Sequence, residues 1–470
     1  MDQGGHASRA VIMDGSGTVL SRAERSLGTS RPKDGYVEHD PEELVLTVSQ
    51  CLMEVIEKNE VETRSLLCAG MATQRSSIVC WDSRTGEALS PVISWQDTRS
   101  RDRIVELVSR SEWVHDKTGL FLSAHYGASK FQWCLENIPG VRKAKSSGRL
   151  CMGPMSSFIV WRLTVERRFA ADPVSASRTL LWNIFKRNWD QDLLELFEIP
   201  EEALPACVPT VHTYGKIKIG NTYLPLTLVT GDQSAALFAH GRLRSDTAYV
   251  NMGTGAFVSR STGEKPLFQK RLLTSIVHEQ ENVSQNVLEG TINGAGSALA
   301  WIRDALALKD LEDRLPAWLK EVKDPPLFLN GISGLGAPYW DPDFESGFVG
   351  KGQPSEMVVA VLESIVFLIH TNLLEMQHSL SPPGNIQVTG GLSNLDGLCQ
   401  LLADLTGISV YRPAQTEATV RGTCYLMAGQ PAQWPEVEPG VWFEPESNQP
   451  VASRYEKWVE EMEKRVGGGE

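Results

Sequence analysis

Short apolar runs alternate with charged segments of helical periodicity along most of the chain. Residues 66–69 (Leu-Leu-Cys-Ala) form one such run, and residues 101–108 carry apolar side chains at helical spacing among charged ones. Further runs end near residues 229 and 389. Strands that alternate with helices are typical of α/β folds, so the pattern predicts α/β lobes.

Two distant passages share a pattern of a strand, a glycine-rich turn and a second strand. The first covers residues 2–20 and contains Gly4-Gly5, and the second covers residues 248–264 and contains Gly253-Thr254-Gly255. About half of the chain separates them, which is the spacing expected of a duplicated protein with two lobes.

The chain of 470 residues is too long for a single hydrophobic core, which stops growing at about 250–300 residues. We predict an N-terminal lobe over residues 1–242 and a C-terminal lobe over residues 243–430, divided at a polar segment. Residues 431–470 begin rich in proline and end as a charged amphipathic helix, with a glycine-rich end that is expected to fray. The apolar face of that helix carries Tyr455, Trp458, Val459 and Met462.

Charge and composition exclude several classes of protein. The 58 Asp and Glu residues outnumber the 45 Lys and Arg residues, and the net charge of −13 argues against a nucleic-acid or anionic-membrane surface. No apolar stretch reaches the roughly 18–20 residues of a membrane span, and polar residues near Met1 interrupt any signal peptide. The eight cysteines lack zinc-site spacing and lie mostly among apolar residues, as is typical of reduced thiols in a cytoplasmic protein without a structural metal.

Glycine-rich turns after strands allow backbone N–H groups to approach a phosphate closely. Gly4-Gly5 and Gly253-Thr254-Gly255 have this form, and both are also compatible with simple hairpin turns. Gly390-Gly391 follows a predicted strand over residues 386–389 and either packs against a nucleotide or only opens the next helix. The residues alone leave these alternatives open.

Asp232 stands where an apolar strand ends and a helix begins. A carboxylate in this position favours an N-cap, although α/β folds also place catalytic bases at the carboxyl ends of strands. Polar residues follow two other predicted strands, at Gln74-Arg75 and around Trp95. An aromatic side chain among fixed polar groups suits a polyhydroxylated ligand, and an ordinary polar surface has the same composition.

Taken in order, these motifs resemble the FGGY family of carbohydrate kinases, and within it the glycerol kinases. The resemblance covers residues 2–429 and implies an α/β fold of two actin- and hexokinase-like (ribonuclease H-like) lobes. Each lobe is expected to hold a five-stranded mixed sheet, with ATP and a sugar or polyol in the cleft between the lobes. The motifs that carry the resemblance include Trp95-Gln96-Asp97-Thr98-Arg99, Ser175-Ala176-Ser177-Arg178-Thr179, Gly231-Asp232-Gln233, Glu289-Gly290 and residues 333–340.

The resemblance also assigns roles to individual residues. It implies an ATP-dependent kinase in which Asp232 accepts the proton of a substrate hydroxyl as that hydroxyl attacks the γ-phosphate. It implies Mg²⁺ held by Asp2 and Asp232. The implied nucleotide contacts are Gly4, Gly5, Gly253, Thr254, Gly255, Gly296, Gly390 and Gly391, and the implied contacts of the polyol are Arg75, Trp95, His125, Gln233 and Phe257.

Several positions depart from the glycerol kinase pattern. Ser76 stands where those kinases have a glutamate, and His125 where they have a tyrosine. Gly5 and His6 replace two threonines, and Ala300 replaces a glutamine. We therefore expect phosphorylation of a small polyol or sugar at an altered acceptor site. The alternative is a catalytically weak or inactive relative that binds a ligand or partner, and a homo-oligomer is compatible with both.

The family places an apolar strand directly before the residue that matches Asp2, whereas here only Met1 precedes it. That strand is central in the first sheet of the family fold. We therefore expect the first sheet to be split, Asp2 to be loosely held, and the natural protein to begin upstream with several apolar residues.

Overall fold

The structure, a computed structural model, describes residues 1–58, 65–414, 417–434 and 439–466. Its strands are β1 Asp2–Gln3, β2 Ala7–Met13, β3 Val19–Ser26, β4 Glu38–His39, β5 Ala69–Thr73, β6 Ile78–Asp82, β7 Val92–Ile93, β8 Leu150–Pro154, β9 Ala170–Ala171, β10 Trp182–Asn183, β11 Asn188–Trp189, β12 Ala206–Cys207, β13 Val211–Ile219, β14 Thr222–Gly231, β15 Thr247–Met252, β16 Ala256–Gly263, β17 Leu273–Gln280, β18 Val283–Ile292, β19 Leu327–Leu329, β20 Gly347–Val349, β21 Asn385–Thr389, β22 Val410–Arg412 and β23 Val441–Phe443. Its helices are α1 Pro41–Glu57, α2 Arg101–Glu106, α3 Ser111–Thr118, α4 Gly127–Asn137, α5 Pro139–Ser146, α6 Met155–Leu163, α7 Pro173–Ala176, α8 Gln191–Phe197, α9 Asp232–Ala236, α10 Gly296–Ala305, α11 Leu311–Glu321, α12 Pro354–Gln377, α13 Asp396–Thr406, α14 Ala418–Met427 and α15 Gln449–Val466.

The first large sheet has the strand order β13-β14-β5-β1-β2-β3. The short strand β1 runs parallel to β5 and antiparallel to β2, so Asp2 lies opposite Ala72 on one side and Arg9 on the other. The carbonyl oxygen of Met1 also accepts a hydrogen bond from the backbone N–H of Ala72, at 2.9 Å. The expectations of a split sheet and a loosely held Asp2 are therefore wrong, because two residues are enough to pair with both neighbours.

The second large sheet repeats the pattern of the first. Its order is β17-β18-β16-β15-β21-β22-β23. In both sheets a central strand, β1 or β15, pairs antiparallel with the next strand, β2 or β16, and parallel with a later strand, β5 or β21. The predicted duplication is confirmed as a shared pattern of five strands. The described sheets have six and seven strands rather than five, because β13 extends the first and β17 and β23 extend the second.

The core of the second lobe is built around helix α12. An 18-residue window of α12 has a mean hydropathy of 2.0, so the helix is long and apolar enough to cross a membrane, which the sequence did not lead us to expect. Most of that window, 78%, is buried inside the protein, as in the core helix of a globular lobe. The cytoplasmic location stays a prediction.

Residues near the carboxyl end of the chain complete the second lobe. Strand β23 pairs with β22, and helix α15 lies against the same core as α12. Trp458 and Met462 of α15 are fully buried, and the indole N–H of Trp458 donates to the carbonyl oxygen of Phe328 at 2.9 Å. The predicted amphipathic helix is confirmed, whereas the expected fraying of residues 467–470 lies outside the described residues. The lobe boundaries at residues 242 and 430 stay predictions.

Two further features of the fold position the site. A smaller sheet of four short strands, β4-β7-β6-β8, lies in the first lobe beside helix α4. Helix α14, which lies between β22 and β23 of the second sheet in the chain, packs against α9 and β5 of the first lobe. Gly422 permits this contact, since a Cβ atom there would lie 1.7 Å from the carbonyl oxygen of Ala235.

All eight cysteines lie in the described part of the chain and are free, and five of them are buried. Among the described residues there is no group of three or more His, Cys, Asp and Glu side chains suited to a metal ion.

Candidate active site

A cavity of about 1230 Å³ lies between the two large sheets. The first lobe lines it along β1, β2 and β3 and at the carboxyl ends of β5 and β14, and the second lobe lines it along β15, β16 and β21. Six residues that the sequence singled out meet on its walls. They are Asp2, Arg75, Asp232, Gln233, Phe257 and Gly390.

Asp232 is the first residue of helix α9, and Gly231 occupies the N-cap position. The carboxylate makes no capping hydrogen bond further along the helix, and its Oδ1 accepts from the backbone N–H of the next residue, Gln233, at 2.7 Å. The N-cap interpretation is therefore wrong. The helix begins one residue earlier than that interpretation requires, and the carboxylate lines the cavity instead.

Two carboxylates share one wall of this cavity. Burial raises the pKa of Asp232 to about 6; the Arg75 guanidinium opposes this shift and the Asp2 carboxylate adds to it. Burial also raises the pKa of Asp2, against the opposing charge of Arg9, whose Nη1 lies 3.5 Å from Asp2 Oδ2. Repulsion between neighbouring carboxylates is relieved when a cation binds between them.

Arg75 is held beside Asp232 by contacts along its whole length. Its aliphatic part crosses Gly231, where a Cβ atom would lie 2.6 Å from both Cγ and Cδ of the arginine. Its guanidinium donates hydrogen bonds to Oε1 of Gln233 and, at 3.4 Å, to Oγ of Ser234. Burial lowers the pKa of Arg75 to about 10, so the side chain stays charged at neutral pH.

Trp95 and His125 form a ring pair that does not line the cavity. Their ring centroids are 5.3 Å apart, and the backbone N–H of Trp95 donates to Ser77 Oγ at 3.1 Å, next to Ser76. Burial, together with the charges of Lys130, Arg178 and Arg75, lowers the pKa of His125 well below its ordinary value. The imidazole is therefore neutral at physiological pH.

The glycine turns singled out in the sequence are hairpin turns outside the lining of the cavity. Gly4 N–H donates to the carbonyl oxygen of Ala7 at 3.0 Å, between β1 and β2. The turn formed by Gly253, Thr254 and Gly255 joins β15 to β16 and contacts the beginning of α10, where Gly296 N–H donates to the Gly253 carbonyl oxygen at 2.9 Å. A phosphate-binding role for these turns stays a prediction.

Gly390 brings the end of β21 to the edge of the cavity. Its φ of 90° lies in the left-handed region, and a Cβ atom there would lie 2.5 Å from the carbonyl oxygen of Met252. Both the conformation and the close approach therefore require glycine at this position. At the next residue, Gly391, a Cβ atom would meet no other atom within 4 Å. The nucleotide contact expected for both glycines stays a prediction.

Comparison with known proteins identifies the family of the chain. Residues 1–239 match the N-terminal domain model, and residues 248–429 the C-terminal domain model, of the FGGY family of carbohydrate kinases. The chain belongs to this family. The resemblance and the two-lobed α/β fold inferred from the sequence are confirmed, and the protein is an ATP-dependent sugar or polyol kinase.

Relatives of this FGGY kinase match nearly its whole length. Glycerol kinase 1 of Pseudomonas aeruginosa is 34% identical over 440 residues, which cover 91% of this chain and 88% of that protein. The glycerol kinase of Ectopseudomonas mendocina is 33% identical, with 99% and 98% covered. The crystal structure of Plasmodium falciparum glycerol kinase with ADP superposes with a TM-score of 0.91 and covers 99% of this chain and 97% of that chain. Because the two sequences are only 22% identical, this superposition shows that they share a fold and nothing more.

Three charged residues of the FGGY kinase site received no functional assignment from the sequence, although two of them, Arg178 and Glu289, stand in motifs that carry the resemblance. Arg9 faces Asp2 from the paired strand, which the separation of seven residues around a hairpin was enough to suggest. Arg178 and Glu289 form a buried ion pair between the lobes, with Nη2 2.9 Å from Oε1. These two residues are 111 positions apart, and no local pattern links them.

Proposed function

We propose that this kinase transfers the γ-phosphoryl group of ATP to a hydroxyl group of a small polyol or sugar, with Asp232 as the catalytic base and with an acceptor site unlike that of the glycerol kinases. The observation that carries the proposal is the position of Asp232. It lines the cavity between the lobes, as Asp2 does, and lies beside the fixed charge of Arg75.

The environment of Asp232 suits proton transfer at neutral pH. Its pKa of about 6 leaves the carboxylate ionised, yet more basic than an ordinary aspartate. In the reaction the acceptor hydroxyl gives its proton to Asp232, and its oxygen forms the new bond to the γ-phosphorus. The bond from that phosphorus to the oxygen bridging it to the β-phosphate breaks, and ADP leaves with the bonding electron pair.

The chain also offers ligands for Mg²⁺. Asp2 and Asp232 are the residues that would hold it, since burial raises the pKa of both carboxylates and a bound cation would offset the cost of ionising them there. Mg²⁺ commonly takes one or two carboxylates together with substrate phosphates and water, so no third protein ligand is required. The ion would supply neutralisation of charge on the phosphates. Gly4, Gly5, Gly253, Thr254, Gly255, Gly296, Gly390 and Gly391 are the proposed nucleotide contacts.

Two positions support a different acceptor. Ser76 is buried with φ of 65°, and its hydroxyl has no hydrogen-bond partner among the described residues. Residue 76 therefore presents no carboxylate to the hydroxyls of a substrate. His125 is neutral and packs against Trp95, so it presents an imidazole where the glycerol kinases have a phenol. Arg75, Gln233 and Phe257 complete the proposed acceptor subsite.

An acceptor screen tests the proposal. ADP formation from MgATP is measured with glycerol and with polyols and ketoses of four to six carbons. We expect at least one longer acceptor to exceed glycerol in kcat/KM by about tenfold or more, and Asp232→Asn to abolish the signal. If glycerol is the best acceptor, the proposal of an altered acceptor site is wrong, whereas the proposal of a kinase still holds. Nucleotide binding without any turnover would favour the alternative of a ligand-binding or partner-binding module.

A further inference from the structure

Lys130 is a fully buried lysine in the first turn of helix α4. Burial of an ammonium group costs free energy, and the amino end of a helix disfavours positive charge. Burial lowers the pKa of Lys130 to about 7, with Asp97 and Arg99 acting on it in opposite directions. Helix stability therefore does not explain a lysine at this position.

The ammonium group joins two loops of the first lobe. Its Nζ donates to the carbonyl oxygen of Ser94 at 2.8 Å and to the carbonyl oxygen of His125 at 2.7 Å. Ser94 lies directly after β7 and directly before Trp95, and His125 lies just before α4. Both hydrogen bonds therefore fix backbone atoms at, or adjacent to, the residues of the Trp95–His125 ring pair.

The ring pair depends on the relative position of these two loops. The Trp95 and His125 rings meet at 5.3 Å with 54° between their planes, and His125 also packs edge-on against Tyr126 at 4.9 Å. A second link between the two segments joins Ser100 Oγ to Ser129 Oγ at 2.8 Å. Both serines lie further along the sequence from Trp95 and His125 than the two carbonyl groups that Lys130 binds. The ammonium group is thus the link nearest to the rings.

We propose that Lys130 is a positioning residue that holds Trp95 against His125 and so sets the shape of the acceptor subsite. The proposal rests on the proposed function in one respect, namely that this ring pair contacts the acceptor. Lys130 itself is buried, is not among the residues that line the cavity, and acts through the two carbonyl groups. Removal of its N–H donors leaves both carbonyl oxygens buried without that partner and frees the loops to separate.

The kinetic test uses Lys130→Met, which keeps most of the length of the unbranched side chain and removes the donors. We expect KM for the best acceptor to rise by about tenfold, while kcat and KM for ATP stay within about twofold. The matched control is Lys117→Met, because Lys117 pairs with Asp190 at 2.8 Å in the same lobe but away from the rings. In a Trp95→Ala background Lys130→Met should have almost no further effect on acceptor KM. An equal rise in both backgrounds would overturn the proposal.

A spectroscopic test does not depend on activity. The difference in near-ultraviolet circular dichroism between the parent and Trp95→Phe reports the surroundings of Trp95. We expect that difference spectrum to shrink in the Lys130→Met background and to persist in the Lys117→Met background. An unchanged spectrum would refute the positioning role even if the protein phosphorylates no tested acceptor. If Lys130→Met does not fold, Lys130→Gln, a shorter donor, serves in both tests and should give a smaller change in the same direction.

Discussion

Arg178 of the first lobe places one guanidinium nitrogen, Nη2, 2.9 Å and 3.1 Å from the two carboxylate oxygens of Glu289 in the second lobe. The same nitrogen donates to Oγ of Ser275 at 2.7 Å. Burial alone would raise the pKa of Glu289, but the charges of Arg178 and Arg75 overcome it and lower that pKa. The two lobes are therefore joined by a charged pair at the edge of the cavity.

Breaking that pair should destabilise the protein strongly. Glu289→Gln leaves the buried Arg178 without its counter-charge, and we expect the free energy of unfolding to fall by about 3–5 kcal/mol. Asp246→Asn is the matched control, because Asp246 pairs with Arg244 on the exposed surface, where about 0–1 kcal/mol is expected. Urea unfolding of both variants gives the comparison. If the free energy of unfolding falls equally in both variants, the buried pair stabilises the protein no more than the exposed pair does.

Asp232→Asn should separate catalysis from folding. The amide is nearly isosteric but cannot accept a proton, so we expect kcat to fall by about 10²–10⁴-fold on the best acceptor, whereas the free energy of unfolding should not fall. Asp304→Asn, on the surface of α10, is the control and should leave kcat unchanged. Activity of Asp232→Asn within a few-fold of the parent would remove Asp232 from the role of base.

The raised pKa of Asp232 gives activity and stability opposite dependences on pH. Folding raises this pKa from 3.8 to about 6, so the folded chain holds the proton more tightly and the stability contribution of Asp232 falls as pH rises between these values. Activity needs the ionised form, so kcat/KM should fall as pH drops through about 6. Arg75→Met removes a charge that lowers this pKa, so the fall in kcat/KM should begin at a higher pH in this variant. If the fall stays at the same pH, it reports the titration of another group.

Ser76→Glu should improve the use of glycerol. It restores a carboxylate at the position where the glycerol kinases have one, and we expect kcat/KM for glycerol to rise relative to that for the best longer acceptor. Ser76→Ala is the control, because it occupies the same left-handed backbone conformation without a carboxylate. If both variants change the ratio equally, the effect comes from loss of the serine and not from the new charge.

Gly422→Ala should disturb the contact between the lobes at α9 and α14. The added Cβ atom would lie 1.7 Å from the carbonyl oxygen of Ala235, so the two helices must move apart. Overpacking of this kind costs about 1–3 kcal/mol, and we expect a lower melting temperature together with weaker ATP binding. Gly15→Ala meets no atom within 4 Å and serves as the control. A melting temperature equal to that of the control would show that the contact is easily relaxed.

The sequence was sufficient for features that rest on local patterns. The strand before Gly390, the helix that carries Trp458 and the paired hairpins near Gly4 and Gly253 all follow from short-range periodicity and turn residues, and the structure confirms each of them. The resemblance located Asp232, but the residues alone favoured an N-cap. The choice depended on where α9 begins, and a shift of one residue reverses it.

Features that rest on long-range contacts were missed or wrongly expected. Lys130 is an ordinary polar position in the sequence, and its burial follows only when the loop containing Ser94 folds over it. The expectation of a split sheet overestimated the length of strand that a central position needs. Asp2 pairs with both neighbouring strands within a strand of only two residues. Neither the burial of Lys130 nor the pairing of so short a strand can be predicted from the local hydrophobic pattern.

The small four-stranded sheet has a consequence for how such a protein can change. Ser76, Trp95 and His125 belong to turns around β6, β7 and α4, whereas Asp2, Asp232 and Gly390 stand at the ends of strands in the two large sheets. In the proposed kinase, mutations at Ser76, Trp95 and His125 therefore change the choice of sugar from a part of the lobe separate from the residues that handle phosphate. A library confined to those turns lets directed evolution explore new substrates while the phosphoryl-transfer apparatus is inherited intact.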